Sequence, residues 1–220
     1  EAIAAEKAAI FRPHRPALTS ATGVGLEALR RVCGRELQAI DPVAESTPLP
    51  LPGAHQRRNA GLALAVADAL GYSVGPTALD TVDWPGRGEI IGDVILDCAH
   101  NPQAMDVLIQ WLESTSTTPC QVIFGAMEGK DVATMARRLE MWATSVTVVT
   151  PDYLRRIEAR ELAGYFHGET TVIDNVSRAL DQRARGALTL VCGSSFLVAE
   201  ARAHLLGLPY PELGIRTVAR

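Results

Sequence analysis

The sequence lacks several features that would assign it to a specialised class of protein. No apolar run reaches the roughly 18 residues that a membrane-spanning helix needs, and a net charge of −4 offers no basic surface for nucleic acid. The four cysteines form no C-x-x-C pair, which argues against a zinc site. We therefore expect a cytoplasmic protein that binds neither nucleic acid nor a membrane and keeps all its cysteines reduced, namely Cys33, Cys98, Cys120 and Cys192.

Two common nucleotide-binding loops are also missing. The nearest approach to a P-loop, G-x-x-x-x-G-K-[ST], is residues 125–131, Gly-Ala-Met-Glu-Gly-Lys-Asp. That segment has one residue too few between its glycines and ends in Asp where the P-loop needs Ser or Thr. No G-x-G-x-x-G fingerprint occurs either, so an α/β pattern alone does not predict dinucleotide binding here.

The later part of the chain alternates between two kinds of hydrophobic pattern. Short apolar runs predict strands at residues 94–96, 121–124, 146–149, 171–173 and 188–192. Helical patterns lie between and after them, at residues 102–113, 132–142, 158–165, 176–185 and 196–206. Strand and helix in turn predict right-handed crossovers and a parallel sheet covered on both faces, which is an α/β, Rossmann-like fold.

The earlier part of the chain is less regular. Helices are predicted over residues 1–10, 26–37 and 56–70, with Gly71 as a left-handed cap, and a short strand at 17–20. The proline-rich residues 41–52 are predicted as a loop or an edge segment. The glycines and prolines of residues 75–92 indicate a boundary between two units, residues 1–82 and 83–220. Because strong helix formers begin at residue 1 without a cap or an initiator Met, we expect the chain to be part of a longer protein.

Residues 97–102, Asp-Cys-Ala-His-Asn-Pro, are the strongest candidate for a functional edge. An apolar run ends there in Asp97 and His100, and Asn101 and Pro102 are predicted as the N-cap and first residue of a helix. Ligands of open α/β sheets bind where strands end and helices begin, and the exposed N–H groups there favour anions. An ordinary capped turn explains the local pattern equally well.

Five separated stretches in order resemble the signatures of folylpolyglutamate synthase and dihydrofolate synthase, members of the Mur ligase superfamily. They are residues 6–10 (Glu-Lys-Ala-Ala-Ile), 55–60 (His-Gln-Arg-Arg-Asn-Ala), 84–87 (Trp-Pro-Gly-Arg), 97–102, and 193–198 (Gly-Ser-Ser-Phe-Leu-Val). The resemblance covers nearly the whole chain but only the later half of a family member. It implies that residues 1–82 are a remnant of the central ATPase domain and residues 83–220 the C-terminal glutamate-binding domain.

The resemblance implies an ATP- and Mg²⁺-dependent ligase that adds L-glutamate to folate or dihydropteroate through an acyl phosphate. Its partner within the same enzyme would be an N-terminal portion carrying the P-loop, and this chain alone is expected to be inactive. Two alternatives stay open. One is another Mur-type amide ligase, such as cyanophycin synthetase or a peptidoglycan Mur ligase. The other is a non-catalytic module that binds a small anion or a partner.

The resemblance also assigns residues to ATP and metal. Lys7 matches a catalytic lysine that family members carry as a carbamate, an anionic oxygen ligand suited to Mg²⁺. Asn59, Arg87 and Asp97 match ATP-binding positions, where an amide suits a base edge and a guanidinium suits phosphate. A solvated lysine, a helix-packing asparagine and a surface arginine are the ordinary alternatives.

A further set of matches concerns the amino-acid substrate. His100 matches a residue that handles the incoming glutamate, and we take it as a candidate catalytic group. Ser194 matches a glutamate-binding serine. Phe196 stands at a glutamate-binding position where the family commonly has Tyr, so any hydroxyl contact made there is lost.

Overall fold

The computed structural model describes residues 2–12, 14–115 and 120–210. It separates into two compact units, of which the first ends at Asp83 and the second begins at Trp84. None of the described helices is both long enough and apolar enough to cross a membrane.

The first unit combines helices with a short parallel sheet. Its helices are α1 (Ala2–Ala8), α2 (Gly23–Cys33) and α3 (Ala54–Ala69), and its strands are β1 (Ala17–Thr19) and β2 (Leu37–Ala39). The two strands pair in parallel. A small core joins α1 and α2 to this sheet and contains Ala8, Ala17, Leu29 and Leu37.

Two expectations for the first unit are confirmed and one is wrong. Residues 41–52 contain neither helix nor strand, and Gly71 follows α3 with a positive φ of 84°. The helix predicted over residues 26–37 instead ends at Cys33, because Gly34 adopts a φ of 67° and reverses the chain into a short 3₁₀ turn. Leu37, predicted as the helix end, is a buried strand residue of β2.

The second unit is a doubly wound α/β sheet. In the described part of the chain its strands are β3 (Arg87–Ile91), β4 (Val94–Asp97), β5 (Gln121–Phe124), β6 (Ser145–Val149), β7 (Thr170–Ile173) and β8 (Thr189–Cys192). Its helices are α4 (Pro102–Ser114), α5 (Val132–Trp142), α6 (Ala159–Ala163), α7 (Val176–Gln182) and α8 (Ser195–Leu206). The strand order is β3-β4-β8-β5-β6-β7, and the predicted mostly parallel α/β fold is confirmed.

One strand of this sheet was missed from the sequence. Residues 87–91, predicted as part of an irregular boundary, form β3, which pairs antiparallel with β4. β3 is an edge strand, and Ile90 on it is 63% exposed. Its glycine-rich start and half-exposed side chains carry no clear strand pattern, since only one neighbour covers it.

Side chains alternate between two cores along the central strands. Ile95, Val122 and Phe124 join the core beneath α4, α5 and α6, whereas Leu96 and Ile123 join the core beneath α7 and α8. Burial on both faces explains why these strands are continuous apolar runs. Each fully buried large aliphatic side chain contributes about 1.5–3 kcal/mol to folding.

The position of β8 decides where a ligand can bind. β8 lies between β4 and β5, so the chain leaves β4 toward α4 and leaves β8 toward α8. These two helices pack in different cores, on opposite faces of the sheet. Their N-termini therefore diverge at the carboxyl edge, and such a switch point is where open α/β sheets form a ligand crevice.

Candidate functional site

A cavity of about 300 Å³ lies at the carboxyl edge of the six-stranded sheet. The loops that follow β4, β5, β6 and β8 all contribute to it. Its lining includes His100, Lys130, Tyr153, Arg155, Ser194 and Phe196. We refer to it as the first cavity.

A second cavity, of about 540 Å³, lies in the same unit. Its lining includes Trp84, Arg87, Cys98, His100, Ser195 and Arg202. His100 and Ser195 line both cavities and therefore form a shared wall between them. Two ligands, one in each cavity, would meet at this wall.

The loop between β8 and α8 is built around Gly193. Its φ is 111°, and an added Cβ would lie 2.6 Å from the carbonyl oxygen of Gly125, so only glycine fits. The Gly193 N–H donates to the carbonyl of Ala99 at 2.9 Å, which ties this loop to the one after β4. The buried Ser194 caps α8, because its Oγ accepts from the N–H of Phe196 at 3.1 Å.

The loop between β4 and α4 is fixed by Asp97. One carboxylate oxygen accepts from the N–H of Ala99 at 2.8 Å, and the other from the N–H of Gly88 at 2.9 Å. Burial raises the pKa of Asp97, and these two hydrogen bonds, together with the positive charge of Arg87, oppose that rise. The predicted cap is confirmed, since Asn101 accepts from the N–H of Ala104 at 2.9 Å ahead of Pro102.

His100 is oriented by the same loop. Its Nδ1 lies 2.9 Å from the carbonyl oxygen of Cys98. Because a carbonyl oxygen can only accept, Nδ1 carries the hydrogen, and Nε2 of the neutral ring is left as a proton acceptor. His100 is half-buried, so solvent reaches part of the ring.

The loops after β5 and β6 are held together by backbone hydrogen bonds. The Glu128 N–H donates to the carbonyl of Arg155 at 2.8 Å, and the Ile157 N–H donates to that of Ala126 at 3.1 Å. This pairing brings Lys130 and Arg155 to the lining of the first cavity from different loops. The segment that nearly matched a P-loop is thus a strand-to-helix connection, and Asp131 at its end caps α5.

The first cavity suits a ligand that carries negative charge. Lys130 and Arg155 are exposed there, and among the described residues Lys130 makes no ion pair. The N-terminus of α8 also faces it, through the lining residues Ser195 and Phe196, and the positive end of the helix dipole there attracts anions. Glu128 in the lining is an acceptor that could pair with a cationic group on the same ligand.

The family model for "Mur ligase, glutamate ligase domain" matches residues 86–195, half of the 220 residues. The chain belongs to the Mur ligase family. The matched range runs from the residue before β3 to the first residue of α8, and it contains the four loops that form the first cavity.

Curated relatives and solved structures agree with this assignment. A probable bifunctional folylpolyglutamate synthase/dihydropteroate synthase of Halobacterium salinarum is 35% identical over 182 residues, which is 74% of this chain and 22% of that protein. A dihydrofolate synthase/folylpolyglutamate synthase of Bacillus subtilis is 26% identical over 177 residues, or 70% of this chain and 40% of that one. Escherichia coli FolC in complex with ADP superposes with a TM-score of 0.77 at 25% identity, covering 93% of this chain and 57% of that chain.

The resemblance to the folylpolyglutamate synthase group within the Mur ligases, drawn from five motifs, is confirmed by these matches. The chain spans between about a fifth and three fifths of the length of these proteins. Activities that need the whole length of a Mur ligase are therefore proposals for this chain.

The structure brings most of the predicted Mur ligase site residues together. His100, Ser194 and Phe196 line the first cavity, and Arg87 joins His100 in the second. Asp97 pairs with Arg87 in the strand register, but both of its carboxylate oxygens hold backbone N–H groups. Its contact with ATP stays a prediction, while its support of these loops is visible.

Lys7 and Asn59 belong to the first unit. Lys7 is exposed on α1 and lies 3.8 Å from the carboxylate of Glu6. Asn59 is exposed on α3 and donates to the side-chain oxygen of Gln56 at 2.9 Å. Both local arrangements are those of ordinary helix surfaces, and the predicted roles of these residues in metal and ATP binding stay predictions.

The side chains of the described residues do not form a metal centre by themselves. Across residues 2–12, 14–115 and 120–210, no three His, Cys, Asp or Glu side chains converge as ligands. Mg²⁺ is commonly held by one or two protein oxygens together with substrate phosphates. Mg²⁺ would therefore need phosphate oxygens of a bound substrate in addition to any oxygen ligand from the described residues.

Sequence reasoning missed four polar cavity residues, Glu128, Lys130, Tyr153 and Arg155. Each lies on a loop, and only the backbone pairing between the loops after β5 and β6 brings them beside His100. The glycine-flanked lysine of residues 125–131, directly before a helix, was the one available signal. It was tested only as a P-loop, although a lysine there can also meet an anion at the sheet edge.

Proposed function

We propose that this chain supplies the amino-acid-binding part of an ATP-dependent ligase that joins L-glutamate to folate or dihydropteroate. The observation that supports the proposal is the wall that His100 and Ser195 share between the two cavities. An amide ligase must hold an amino acid beside an activated acid. Adjoining cavities with an imidazole between them suit that requirement.

The first cavity would hold L-glutamate. Its volume of about 300 Å³ lies at the lower end for small-ligand sites. Lys130, Arg155 and the N-terminus of α8 would neutralise the two carboxylates, and Glu128 is the acceptor available to an ammonium group. Ser194 would contribute indirectly, by capping α8, because its hydroxyl already accepts a hydrogen bond from the N–H of Phe196.

The second cavity would face the activated acid and the nucleotide. Arg202 is neutralised by Glu89, with its Nε 2.8 and 3.0 Å from the two carboxylate oxygens. Arg87 makes no ion pair with the described residues, so its guanidinium is available to phosphate oxygens. ATP would supply the phosphoryl group that activates the acid, and the residues of this cavity would orient and neutralise it.

His100 would act on the amine. Before the amide-forming step the glutamate ammonium loses one proton and becomes a nucleophilic amine. The amine nitrogen then bonds to the acyl carbon, the bond from that carbon to the phosphate oxygen breaks so that phosphate leaves, and the nitrogen loses a second proton. The Nδ1 hydrogen bond to Cys98 leaves Nε2 able to accept that proton in the neutral ring. Proton transfer by a positioned side chain of this kind accelerates a reaction by about 10²–10⁴-fold.

The two units would correspond to two parts of a longer enzyme. We propose residues 1–82 as a remnant of the central ATPase domain, with Lys7 and Asn59 in it, and residues 83–220 as the glutamate-binding domain. An N-terminal portion with the P-loop would complete the enzyme.

The test is an assay of the intact enzyme of which this chain would form the later part. Incubated with ATP, Mg²⁺, L-glutamate and either tetrahydrofolate or dihydropteroate, it should form an amide and release ADP. Peptidoglycan precursors and aspartate are the comparison substrates for other Mur-type ligases. If neither amide nor ADP forms with tetrahydrofolate and neither forms with dihydropteroate, the proposal is overturned.

A second assay concerns the 220-residue chain alone. Because no segment of its sequence can cradle the β- and γ-phosphates as a P-loop does, we expect no ATP turnover above the buffer rate. Release of ADP by the purified chain, with a matched Arg87→Ala variant abolishing it, would contradict this expectation.

A further inference from the structure

Two aromatic rings in the lining of the first cavity stack on one another. Tyr153 and Phe196 stack with their centroids 3.6 Å apart and their planes inclined by 15°. Both line the cavity, and both are half-buried. Phe196 lies in the first turn of α8, whereas Tyr153 belongs to the loop after β6 and is not held by a helix or strand.

Glu200 connects that loop to α8. It lies one turn after Phe196, so the two side chains share a face of the helix. One carboxylate oxygen of Glu200 accepts from the N–H of Asp152 at 3.3 Å, and Asp152 directly precedes Tyr153. The Tyr153 N–H donates to the carbonyl of Pro151 at 2.9 Å, which tightens the same turn.

Burying the carboxyl of Glu200 is unfavourable for folding. Its carboxyl is half-buried, and burial raises its pKa, with the nearby Asp152 carboxylate adding to the rise. An acid placed there loses hydration, and the hydrogen bond from the Asp152 N–H and the nearby His204 both counter the rise in its pKa.

We propose that Tyr153 is a specificity-determining residue of the first cavity and that Glu200 positions it, an inference that rests on the proposed use of L-glutamate. The stacked rings give an apolar surface to the cavity that Lys130 and Arg155 also line. The methylene groups of glutamate pack on that surface, and the rings keep water away from the charged contacts. The same surface limits the length of the amino acid that fits.

The first experiment measures KM and kcat for L-glutamate and for L-2-aminoadipate, which is longer by one methylene, in the intact enzyme. In Tyr153→Ala we expect KM for L-glutamate to rise about tenfold, kcat to change less than about twofold, and the preference over L-2-aminoadipate to fall about fivefold or more. Tyr153→Phe keeps the ring and should behave as the wild type. Tyr165→Ala, an exposed tyrosine outside both cavities, is the matched control.

The outcomes separate the two proposals. If the wild type forms no product with L-glutamate, the proposed function fails and this inference fails with it. If the wild type uses L-glutamate but Tyr153→Ala keeps both its KM and its preference, only the inference is overturned.

The second experiment tests Glu200 in the 220-residue chain by NMR. The stacked Phe196 ring displaces the chemical shifts of the Tyr153 ring protons, and this displacement is measured. Glu200→Ala should abolish that displacement, and Glu200→Gln should retain it because an amide oxygen still accepts from the Asp152 N–H. In the intact enzyme, Glu200→Ala should raise KM as Tyr153→Ala does, with rescue by Glu200→Gln. An unchanged Tyr153 shift in Glu200→Ala would overturn the positioning role.

Discussion

The two edges of the six-stranded sheet use polar residues differently. At the amino edge, Asp93 pairs with Arg183 at 2.6 Å and accepts from the N–H of Gly186, and Glu140 accepts from the N–H of Gly168. At the carboxyl edge, Lys130 and Arg87 make no ion pair among the described residues. Polar groups that satisfy one another stabilise a fold, whereas those left available at a switch point are the better candidates for ligand contacts.

The first test adds one methyl group at each edge of the sheet and compares the loss of folding stability. In Gly193→Ala the new Cβ would strike the Gly125 carbonyl at a strained positive φ, so the free energy of unfolding should fall by about 4 kcal/mol. At the amino edge, a methyl on Gly186 meets none of the described heavy atoms within 4 Å, so Gly186→Ala should cost only about 1–2 kcal/mol. Urea unfolding of both variants measures the difference, and equal losses would contradict it.

The second test compares histidines at the two edges. His100→Ala should slow amide formation by the intact enzyme about 10²-fold, because the proton acceptor at the shared wall is lost. His167→Ala removes an exposed histidine that contacts Glu140 and should leave the rate unchanged. Product formation and ADP release are the measurements. A similar rate for the two variants would remove His100 from the chemistry.

The third test concerns Lys130. Its replacement by Ala should raise KM for L-glutamate about tenfold or more while leaving the melting temperature within about 2 °C, because an exposed cation contributes to ligand binding and little to folding. Arg178→Ala is the matched control, an exposed cation on α7 that lines neither cavity. A fall in stability with an unchanged KM would show that Lys130 stabilises the fold, as the polar residues of the amino edge do, and does not bind L-glutamate.

The smallest expected effect is at the amino edge itself. The hydrogen bond from Arg183 holds the pKa of Asp93 below its ordinary value of 3.8. The interaction therefore stabilises the fold above about pH 4 and is lost as the pH falls through the lowered pKa. Asp93→Asn should cost about 1 kcal/mol at neutral pH and progressively less as the pH falls below 3.8, measured by chemical unfolding from neutral to acidic pH. A difference that persists at low pH would contradict the assignment.

How much could be predicted from the sequence depended on burial. The strand at residues 121–124 was predicted with its observed bounds, Gln121–Phe124. Both of its faces are covered, so its residues form a continuous apolar run that the sequence shows. β3 was missed because it is an edge strand, and β2 because three residues before a loop resemble a helix end. His100, Ser194 and Phe196 were found through motifs. Lys130 and Tyr153 depend on contacts between distant loops, which no local pattern records.

The wall between the cavities has a thermodynamic consequence. Since His100 and Ser195 belong to both, a ligand that displaces either side chain alters the neighbouring cavity as well. Linkage then requires reciprocity: if occupancy of one cavity tightens binding in the other by some factor, the second ligand must tighten the first by the same factor. Paired titrations, each with and without the other ligand, would give a single coupling free energy.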